Sequence, residues 1–439
     1  MTPSKFDKQI IQETINLIQI PSVKSEPAPD APFGVEIKKA LLYALELSQK
    51  LGLKTTNLDN YLGYAEFGQG EKEIAILVHL DVVPVTMEGW HYPPFQGVIE
   101  DNKLYGRGAS DDKGPAIAVL FAVKKLIEEV PAWNKRIRIL FCTDEESSWQ
   151  DIAYYKLKEK APTLALTPDA FFPVIYAEKG ILHLEIKTRN PYSWLKEFTG
   201  GQRPNMVPEQ ARVQLSKSAL PFFEDSDIVP SQSLDFKGKA AHASYPEKGD
   251  NAILKALHPL CILENKQDPE NYFFRTLRQA FQDIQGGGLN LCLQDSESGK
   301  LTLNLGKVET RGKDLVFTLD IRYPVTFDKQ MIFERVLENF PETKEIYHHP
   351  PLFRSLEKPD MQYLMNAYKE VTSRNDEPLA IGGGTLARAF ANAVAFGAGF
   401  PDEEETAHQS NEYITIESLL ITHEVYYCAL KKLLEKDDW

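Results

Sequence analysis

One stretch decides the fold of this chain: Glu73-Ile74-Ala75-Ile76-Leu77-Val78-His79-Leu80-Asp81. Apolar runs of this length are typical of strands that are buried on both faces of a mainly parallel sheet. A second run of the same kind covers residues 136–142, after a helix of small residues predicted at 114–129. Helices that alternate with buried strands indicate an α/β layer architecture. Working outward from this centre, helical spacing predicts further helices at 5–20, 34–50, 359–373 and 416–435.

The pattern changes in the middle of the chain. Residues 181–187 alternate apolar and polar side chains, which is typical of a half-buried antiparallel strand. Similar alternation occurs at 233–239, 301–308 and 314–322, with helical stretches at 251–265 and 327–339. A linker is expected at Pro350-Pro351-Leu352. The sequence therefore predicts an α/β domain at 1–187 and 353–439, with a mixed, mainly parallel sheet flanked by helices, that is interrupted by an inserted α+β domain at 188–352.

Composition and charge exclude several classes of protein. The 439 residues include 49 Lys and Arg against 63 Asp and Glu, which gives a formal net charge of −14. Because such an acidic surface repels phosphate backbones and anionic lipid, nucleic acid and membranes are not expected partners. No apolar run is long enough to span a bilayer, and the N-terminus lacks the apolar core of a secretory signal. The four cysteines form no CxxC pair and are typical of free thiols, so a cytoplasmic location is expected.

Five motifs place carboxylates or imidazoles at the ends of predicted elements. They contain His79 and Asp81, Asp111 and Asp112, Asp144 to Glu146, Asp169, and His408. Since residues i and i+2 of a strand point to the same side, the His79 imidazole and the Asp81 carboxylate are expected to touch. Asp81 is therefore placed to accept the second ring N–H of a metal-binding histidine. Catalytic groups of open α/β sheets gather at such strand ends.

Each motif by itself also has a purely structural interpretation. Taken one by one, the five patterns also fit a strand-end histidine capped by an acid, an Asp-Asp helix N-cap, a solvated acidic loop, a turn aspartate and a polar histidine cap. Together, however, two histidines and several carboxylates form the ligand set that Zn, Mn or Co prefers. A nucleotide site is disfavoured, because Gly106-Arg107-Gly108 lacks the third glycine of the dinucleotide fingerprint and Gly382-Gly383-Gly384 lacks the Walker lysine.

The order of these motifs resembles a known enzyme family. They read HLDVVP (79–84), YGRGASDDKG (105–114), TDEES (143–147), TPDA (167–170) and AHQSNEY (407–413). This order is similar to that of the di-metal family of aminoacylases, glutamate carboxypeptidases, desuccinylases and dipeptidases, and most similar to its PepV-type dipeptidase branch. The resemblance extends over nearly the whole chain, and it implies that 1–187 and 353–439 form a catalytic domain and 188–352 a lid.

The resemblance also implies two divalent metal ions per chain, with zinc expected first and manganese or cobalt as alternatives. The ligands would be His79, Asp111 and Asp169 for one ion, and Asp111, Glu146 and His408 for the other, with Asp111 bridging. Asp81 would orient His79. Glu145 would act as the general base that deprotonates a water held between the two ions. In this family the peptide bond between Asp111 and Asp112 is typically cis, and the same is expected here.

The inserted domain carries its own matching segments. The segment 238–247 resembles one that presents a histidine to the substrate, so His242 would stabilise the tetrahedral oxyanion. Asn205 lies in one of two segments that resemble parts of the lid that grip substrate, and Arg322 lies in the other. Arg322 suits a free α-carboxylate because a guanidinium binds a carboxylate bidentately. The backbone N–H groups of Gly383 and Gly384 could also bind that carboxylate. The simpler alternatives are a surface-loop histidine and a solvated arginine at a strand edge.

One position narrows the expected substrate. Asp169 stands where deacylases and carboxypeptidases of the family generally carry Glu. An aspartate here resembles the residue found at this position in peptidases that act near a free amino terminus. With Arg322 at the other end, the expected activity is hydrolysis of short peptides with two free termini. The alternatives are an N-acyl amino acid deacylase, of the aminoacylase or desuccinylase kind, and a binding protein that has lost its metals. The PepV branch implies a monomer, and a homodimer is the alternative.

Overall fold

The chain folds into two compact units in the computed structural model, which describes residues 5–129, 133–219 and 232–439. The first unit consists of Met1–Tyr176, Arg354–Leu379 and Thr385–Trp439. The second consists of Ala177–Phe353 and Ala380–Gly384. Residues 1–4, which belong to the N-terminal stretch judged to lack a secretory signal, lie outside the described residues.

The helices and strands have the following bounds. The α-helices are α1 (Asp7–Ile18), α2 (Val35–Lys50), α3 (Lys113–Glu129), α4 (Gln150–Lys158), α5 (Ala252–Gln267), α6 (Phe273–Phe281), α7 (Lys329–Asn339), α8 (Pro359–Thr372) and α9 (Ile416–Glu435). The strands are β1 (Lys54–Leu58), β2 (Leu62–Gly68), β3 (Glu73–His79), β4 (Val98–Glu100), β5 (Lys103–Tyr105), β6 (Arg136–Cys142), β7 (Leu164–Thr167), β8 (Ile175–Glu178), β9 (Gly180–Arg189), β10 (Leu195–Gly200), β11 (Gln210–Leu215), β12 (Ser233–Lys237), β13 (Gln294–Asp295), β14 (Gly299–Lys300), β15 (Thr302–Arg311), β16 (Asp314–Tyr323), β17 (Thr343–His349), β18 (Leu352–Phe353), β19 (Leu379–Ile381), β20 (Ala393–Ala395) and β21 (Tyr413–Thr415).

A mixed sheet forms the centre of the first unit. Its order is β1-β2-β6-β3-β7-β20-β8, and the four strands β6, β3, β7 and β20 are mutually parallel. All seven residues of β3 are buried, as expected of a strand covered on both faces. Helix α3 is rich in small apolar residues, which lets it pack closely against α9 and within the core. The mixed α/β fold predicted from the sequence is confirmed.

The second unit is built on a seven-stranded antiparallel sheet. Its order is β12-β11-β10-β15-β16-β9-β17. Apolar side chains of this sheet and of α5, α6 and α7 form a separate core. The expected domain boundary at 187/188 falls inside β9, which pairs along its whole length with β16. The names catalytic domain and lid for the two units stay predictions.

Several helices and strands were not predicted from the sequence. They include the helices α4 and α6, the strands β1 and β2 at one side of the central sheet, the strands β10, β11 and β17 of the second unit, and the short three-stranded sheet β21-β5-β4. The strands of this small sheet have only three residues each, which is too short for hydrophobic periodicity to show. Within the described residues, no helix is both long and apolar enough to cross a bilayer.

Candidate metal centre

Neighbouring parallel strands of the first unit end at the same edge of the sheet. The register places His79, the last residue of β3, opposite Cys142, the last residue of β6. Strand β7 runs parallel to β3 on its other side and ends at Thr167, two residues before Asp169. The side chains that follow the three strands are therefore brought together by the sheet itself, as expected for open α/β folds.

Asp111 lies between the two histidines of the motifs. Its Oδ1 is 2.7 Å from His79 Nε2, and its Oδ2 is 3.0 Å from His408 Nε2. His408 Nε2 is also 2.9 Å from Glu146 Oε1, and His79 Nε2 is 3.8 Å from Asp169 Oδ2. The peptide bond between Asp111 and Asp112 is cis, as the resemblance implied.

These contacts define two donor groups that share one carboxylate. His79, Asp111 and Asp169 form one group, and Asp111, Glu146 and His408 form the other, with donor atoms within 4.8 Å of one another in each. Donor atoms of His79, Glu145 and Glu146 lie within the same distance of one another, so Glu145 also belongs to this cluster. The structure thus brings together all five residues that the resemblance named as ligands. Nitrogen from histidine and oxygen from carboxylates at this spacing fit a divalent ion of the Zn, Mn or Co type. That these residues bind metal stays a prediction.

The acids of the cluster lie in an unfavourable environment for negative charge. Burial, reinforced by the charge of Asp111, raises the pKa of Asp169 to about 7. Burial and the charge of Asp169 raise the pKa of Glu145 well above its usual range. Asp112 is buried as well: its Oδ2 accepts the His79 main-chain N–H, and its Oδ1 has no hydrogen-bond partner in the described part of the chain. Buried carboxylates at this density need cations or protons to neutralise them.

Protonated His79 and His408 neutralise part of the negative charge of these carboxylates. Burial alone would lower the pKa of His79, but its hydrogen bond with Asp111 raises it well above the usual value. Hydrogen bonds with Asp111 and Glu146 raise the pKa of His408 to about 11. Because metal ions bind neutral imidazole and ionised carboxylate, a divalent cation at these donors would displace the protons that balance the charge here. The residues therefore fit the metal ions that the resemblance implies.

Asp81 makes a different contact from the one predicted. The His79 Nδ1–H donates to the main-chain carbonyl of Asp81 at 3.0 Å, whereas the nearest carboxylate oxygen is 3.8 Å away. The carboxylate instead accepts the main-chain N–H groups of Glu145 at 3.2 Å and Glu146 at 3.1 Å. The prediction was wrong about the atom because the chain leaves the strand at Leu80, so the i, i+2 geometry of a strand no longer holds.

Two residues to which the sequence analysis assigned no role, Trp149 and Asp144, also hold this turn. Trp149 has a left-handed backbone with φ 56°, and its indole N–H donates to the Glu145 carbonyl at 2.9 Å. Asp144 is fully buried, forms an ion pair with Lys24, and accepts the Gln150 N–H at 2.9 Å. A bulky residue at positive φ is uncommon and signals a local constraint. No sequence pattern would have revealed it, because the φ angle is fixed by these contacts.

With this geometry described, the known relatives can be compared. The sequence profile of Peptidase family M20/M25/M40 matches residues 75–432. The chain belongs to this family. It is 34% identical over 467 residues to a protein of Staphylococcus epidermidis named "Putative dipeptidase", and the match covers 99% of this chain and 98% of the relative. As an M20-family peptidase the protein is a hydrolase.

Solved structures share the fold at low sequence identity. Human carnosine dipeptidase 1 matches with a TM-score of 0.62 at 14% identity, over 98% of this chain and 97% of that chain. The YxeP protein of Bacillus subtilis, described as a dinuclear metal binding peptidase, matches with a TM-score of 0.56 at 11% identity, over 98% and 99% of the two chains. At these identities the likeness concerns the fold alone.

The second unit of this M20-family chain carries the predicted His242. The Ser244 N–H donates to His242 Nδ1 at 3.3 Å, so a neutral imidazole carries its proton on Nε2. Burial and the nearby Arg322 lower the pKa of His242, which favours the neutral form. The main chain of Asn205 pairs with this segment, because the Ala243 N–H donates to the Asn205 carbonyl at 2.9 Å. The structure thus brings His242 and Asn205 together.

Arg322 is buried in a central strand and is only 4% exposed, so the alternative of a solvated arginine at a strand edge is wrong. Its Nε and Nη2 donate to both carboxylate oxygens of Asp320 at 2.6 and 2.7 Å. Its Nη1 donates to the Gly382 carbonyl at 3.1 Å, which places Arg322 beside the loop of Gly383 and Gly384. The sequence did not indicate that Asp320 already occupies two of the guanidinium donors.

Proposed function

We propose that this M20-family peptidase is a dipeptidase that hydrolyses short peptides with free termini and uses two divalent metal ions. The observation that carries the proposal is the position of Asp111, whose two carboxylate oxygens each face a different histidine. A carboxylate in this position suits a bridge between two ions. When bound, such a pair of ions polarises the scissile carbonyl and acidifies the attacking water.

In the proposed reaction each residue has a separate task. Asp111 would bridge the ions, with His79 and Asp169 on one side and Glu146 and His408 on the other. Glu145 would take a proton from the attacking water and return it to the leaving amine. The contacts of Asp81 to two main-chain N–H groups would hold Glu145 at a fixed position.

The residues of the second unit are assigned to substrate binding. The Nε2–H of His242 would donate to the oxyanion of the tetrahedral intermediate. Arg322 would attract the α-carboxylate of the substrate, assisted by N–H groups of Gly383 and Gly384. Asn205 lies next to His242 and would contact the same part of the peptide. These four roles rest on the resemblance together with the contacts within this unit.

Substrate comparison is the experiment that tests this function. The purified chain, supplied with Zn²⁺ or Mn²⁺, is assayed with unblocked dipeptides, matched tripeptides and N-acetyl amino acids. We expect the dipeptides to have the highest kcat/KM, by about 100-fold or more, because the other substrates leave a charged group of the site without its partner. The best N-acetyl amino acid exceeding the best dipeptide would instead favour the deacylase alternative. A wild-type chain without activity on any dipeptide would contradict the proposed function.

The location and oligomeric state are also proposals. Cys142 and Cys261 are buried free thiols, and Cys292 and Cys428 are free as well. Free thiols support a reducing compartment, and we propose the cytoplasm. The inserted second unit supports a monomer that needs no partner chain, with a homodimer as the alternative. Size-exclusion chromatography with light scattering separates the two.

Replacing Trp149 with phenylalanine tests whether the turn of Glu145 must be fixed. The variant keeps an aromatic ring but loses the hydrogen bond to the Glu145 carbonyl. One hydrogen bond contributes about 1 kcal/mol, so we expect kcat to fall by about fivefold with little change in KM. Trp439→Phe is the matched control, because the Trp439 indole donates to the Leu433 carbonyl at 2.7 Å, outside the donor groups. Equal kcat values for the two variants would show that the Trp149 contact is dispensable.

A further inference from the structure

Glu412 is a buried carboxylate to which the proposed reaction gives no task. It directly precedes β21, which pairs with β5 so that Tyr413 lies opposite Tyr105. The Gly106 N–H donates to the Glu412 carbonyl at 2.9 Å and extends this pairing by one step. The small sheet therefore places Glu412 beside the loop that carries Asp111, although the two residues are 301 positions apart in the chain.

The Glu412 carboxylate is fully enclosed by donors from that loop. Its Oε2 accepts a hydrogen bond from Arg107 Nη1 at 2.6 Å. Its Oε1 accepts the Ser110 N–H and hydroxyl, both at 3.1 Å, and the Asp111 N–H at 3.2 Å. The side chain of Glu412 has no exposed surface. One carboxylate thus fixes the main chain at Asp111, whose own carboxylate faces the two histidines.

His408 lies in the same loop as Glu412. The loop is closed at its base by Thr406, whose hydroxyl donates to the Tyr413 carbonyl at 3.1 Å and accepts the Tyr413 N–H at 3.2 Å. His408 itself has a left-handed backbone with φ 65°. Because His408 and Glu412 share this closed loop, the contacts of Glu412 couple the position of His408 to that of Asp111.

If Glu412 served only as the ion-pair partner of Arg107, its hydrogen bonds to Ser110 and Asp111 would not be needed. A buried pair is by itself weak evidence of a stabilising role, because the desolvation cost offsets the attraction. The Oε1 atom of Glu412 moreover accepts hydrogen bonds from the Ser110 and Asp111 groups, which an ion pair with Arg107 does not require. In other proteins, metal ligands are oriented by hydrogen bonds from residues that do not themselves touch the metal.

We propose that Glu412 is a positioning residue that sets Asp111 against His408, so that one carboxylate can meet both ions. The inference rests on the proposed two-metal function. It predicts that Glu412 governs metal affinity without touching metal or substrate.

Zn²⁺ affinity of the metal-free chain, measured by competition with a chromophoric chelator, tests this role. We expect Glu412→Gln to weaken the binding of at least one ion by about tenfold or more. The matched control is Glu264→Gln in the second unit. Glu264 is equally buried and also accepts main-chain N–H groups, from Phe274 at 2.7 Å and Arg275 at 3.1 Å. This control should keep the wild-type affinity.

A double variant distinguishes the positioning of Asp111 from the neutralisation of the Arg107 charge. It can also be measured if the single variant does not fold. In Arg107→Met with Glu412→Leu, no buried charge is left without its partner, and the acceptor of the Ser110 and Asp111 N–H groups is removed. If Glu412 only neutralises Arg107, the double variant will bind Zn²⁺ like the wild type, and the inference is overturned. If Glu412 positions Asp111, the affinity stays weak by the same factor. A wild-type chain that binds no zinc would contradict the proposed function itself, whereas two ions bound equally by all variants would contradict only this inference.

Discussion

Replacing Glu145 with glutamine is expected to lower kcat on dipeptides by about 1,000-fold, the middle of the usual range for a general base. Glutamine keeps the size of the side chain but cannot accept the proton of the attacking water. The main-chain contacts of Glu145 to Asp81 and Trp149 involve only the backbone N–H and carbonyl, so the turn should stay in place. We therefore expect two metal ions to remain bound, as measured by elemental analysis of the purified variant.

The matched control for this change lies at the opposite edge of the same sheet, at the start of the neighbouring strand. Glu73 begins β3, is 5% exposed, and pairs with Arg136 and Arg138. Glu73→Gln should alter thermal stability but leave kcat within about twofold of the wild-type value, because it lies outside the donor groups. Wild-type turnover in Glu145→Gln would rule out the base assignment. Loss of metal from that variant would instead make Glu145 a ligand.

Replacing Asp111 with asparagine is expected to have the second largest effect. The amide oxygen can face only one of the two histidines, and the amide nitrogen cannot bind a cation. We expect metal content to fall from two ions to one or none, and kcat/KM to fall on the order of 1,000-fold, since a lost ion removes several kcal/mol of transition-state stabilisation. Metal content by elemental analysis and dipeptide kinetics on the same sample measure both effects.

Asp360 supplies the comparison for this second change. It is a buried aspartate paired with Arg354 in the first unit and is not part of either donor group. Asp360→Asn should lower stability and leave two ions bound. Retention of both ions in Asp111→Asn would contradict the bridging role, even if activity were lost.

Much of the fold followed from local patterns. The strand predicted at 136–142 has those bounds in the structure, and the helix predicted at 416–435 does too. The helix has apolar residues at helical spacing and the strand is largely apolar, and both signals depend only on neighbouring residues. The short strands β4, β5 and β21 carried no such signal, because three residues are too few for a period to show, and β21 pairs with β5 far away in the chain.

In the candidate site, too, local sequence patterns predicted some features and not others. His79 and Glu146 were singled out because they follow apolar strands, and parallel strands end at one edge of a sheet. The contact of Asp81 with the N–H groups of the Glu145 turn could not be predicted, since it depends on how the chain bends after Leu80. The role of Asp320 beside Arg322 was likewise hidden, because which groups satisfy a buried guanidinium is a matter of packing.

The sequence by itself determined the fold class, the family and the chemical types of the candidate ligands, because each depends on residue identity and order along the chain. Only the tertiary structure decided which oxygen of Asp111 faces which histidine, and that a glutamate 301 positions later holds its main chain. Such contacts depend on distances of about 3 Å between atoms that are remote in the chain, and hydrogen bonds weaken steeply outside that range. No local pattern carries this information.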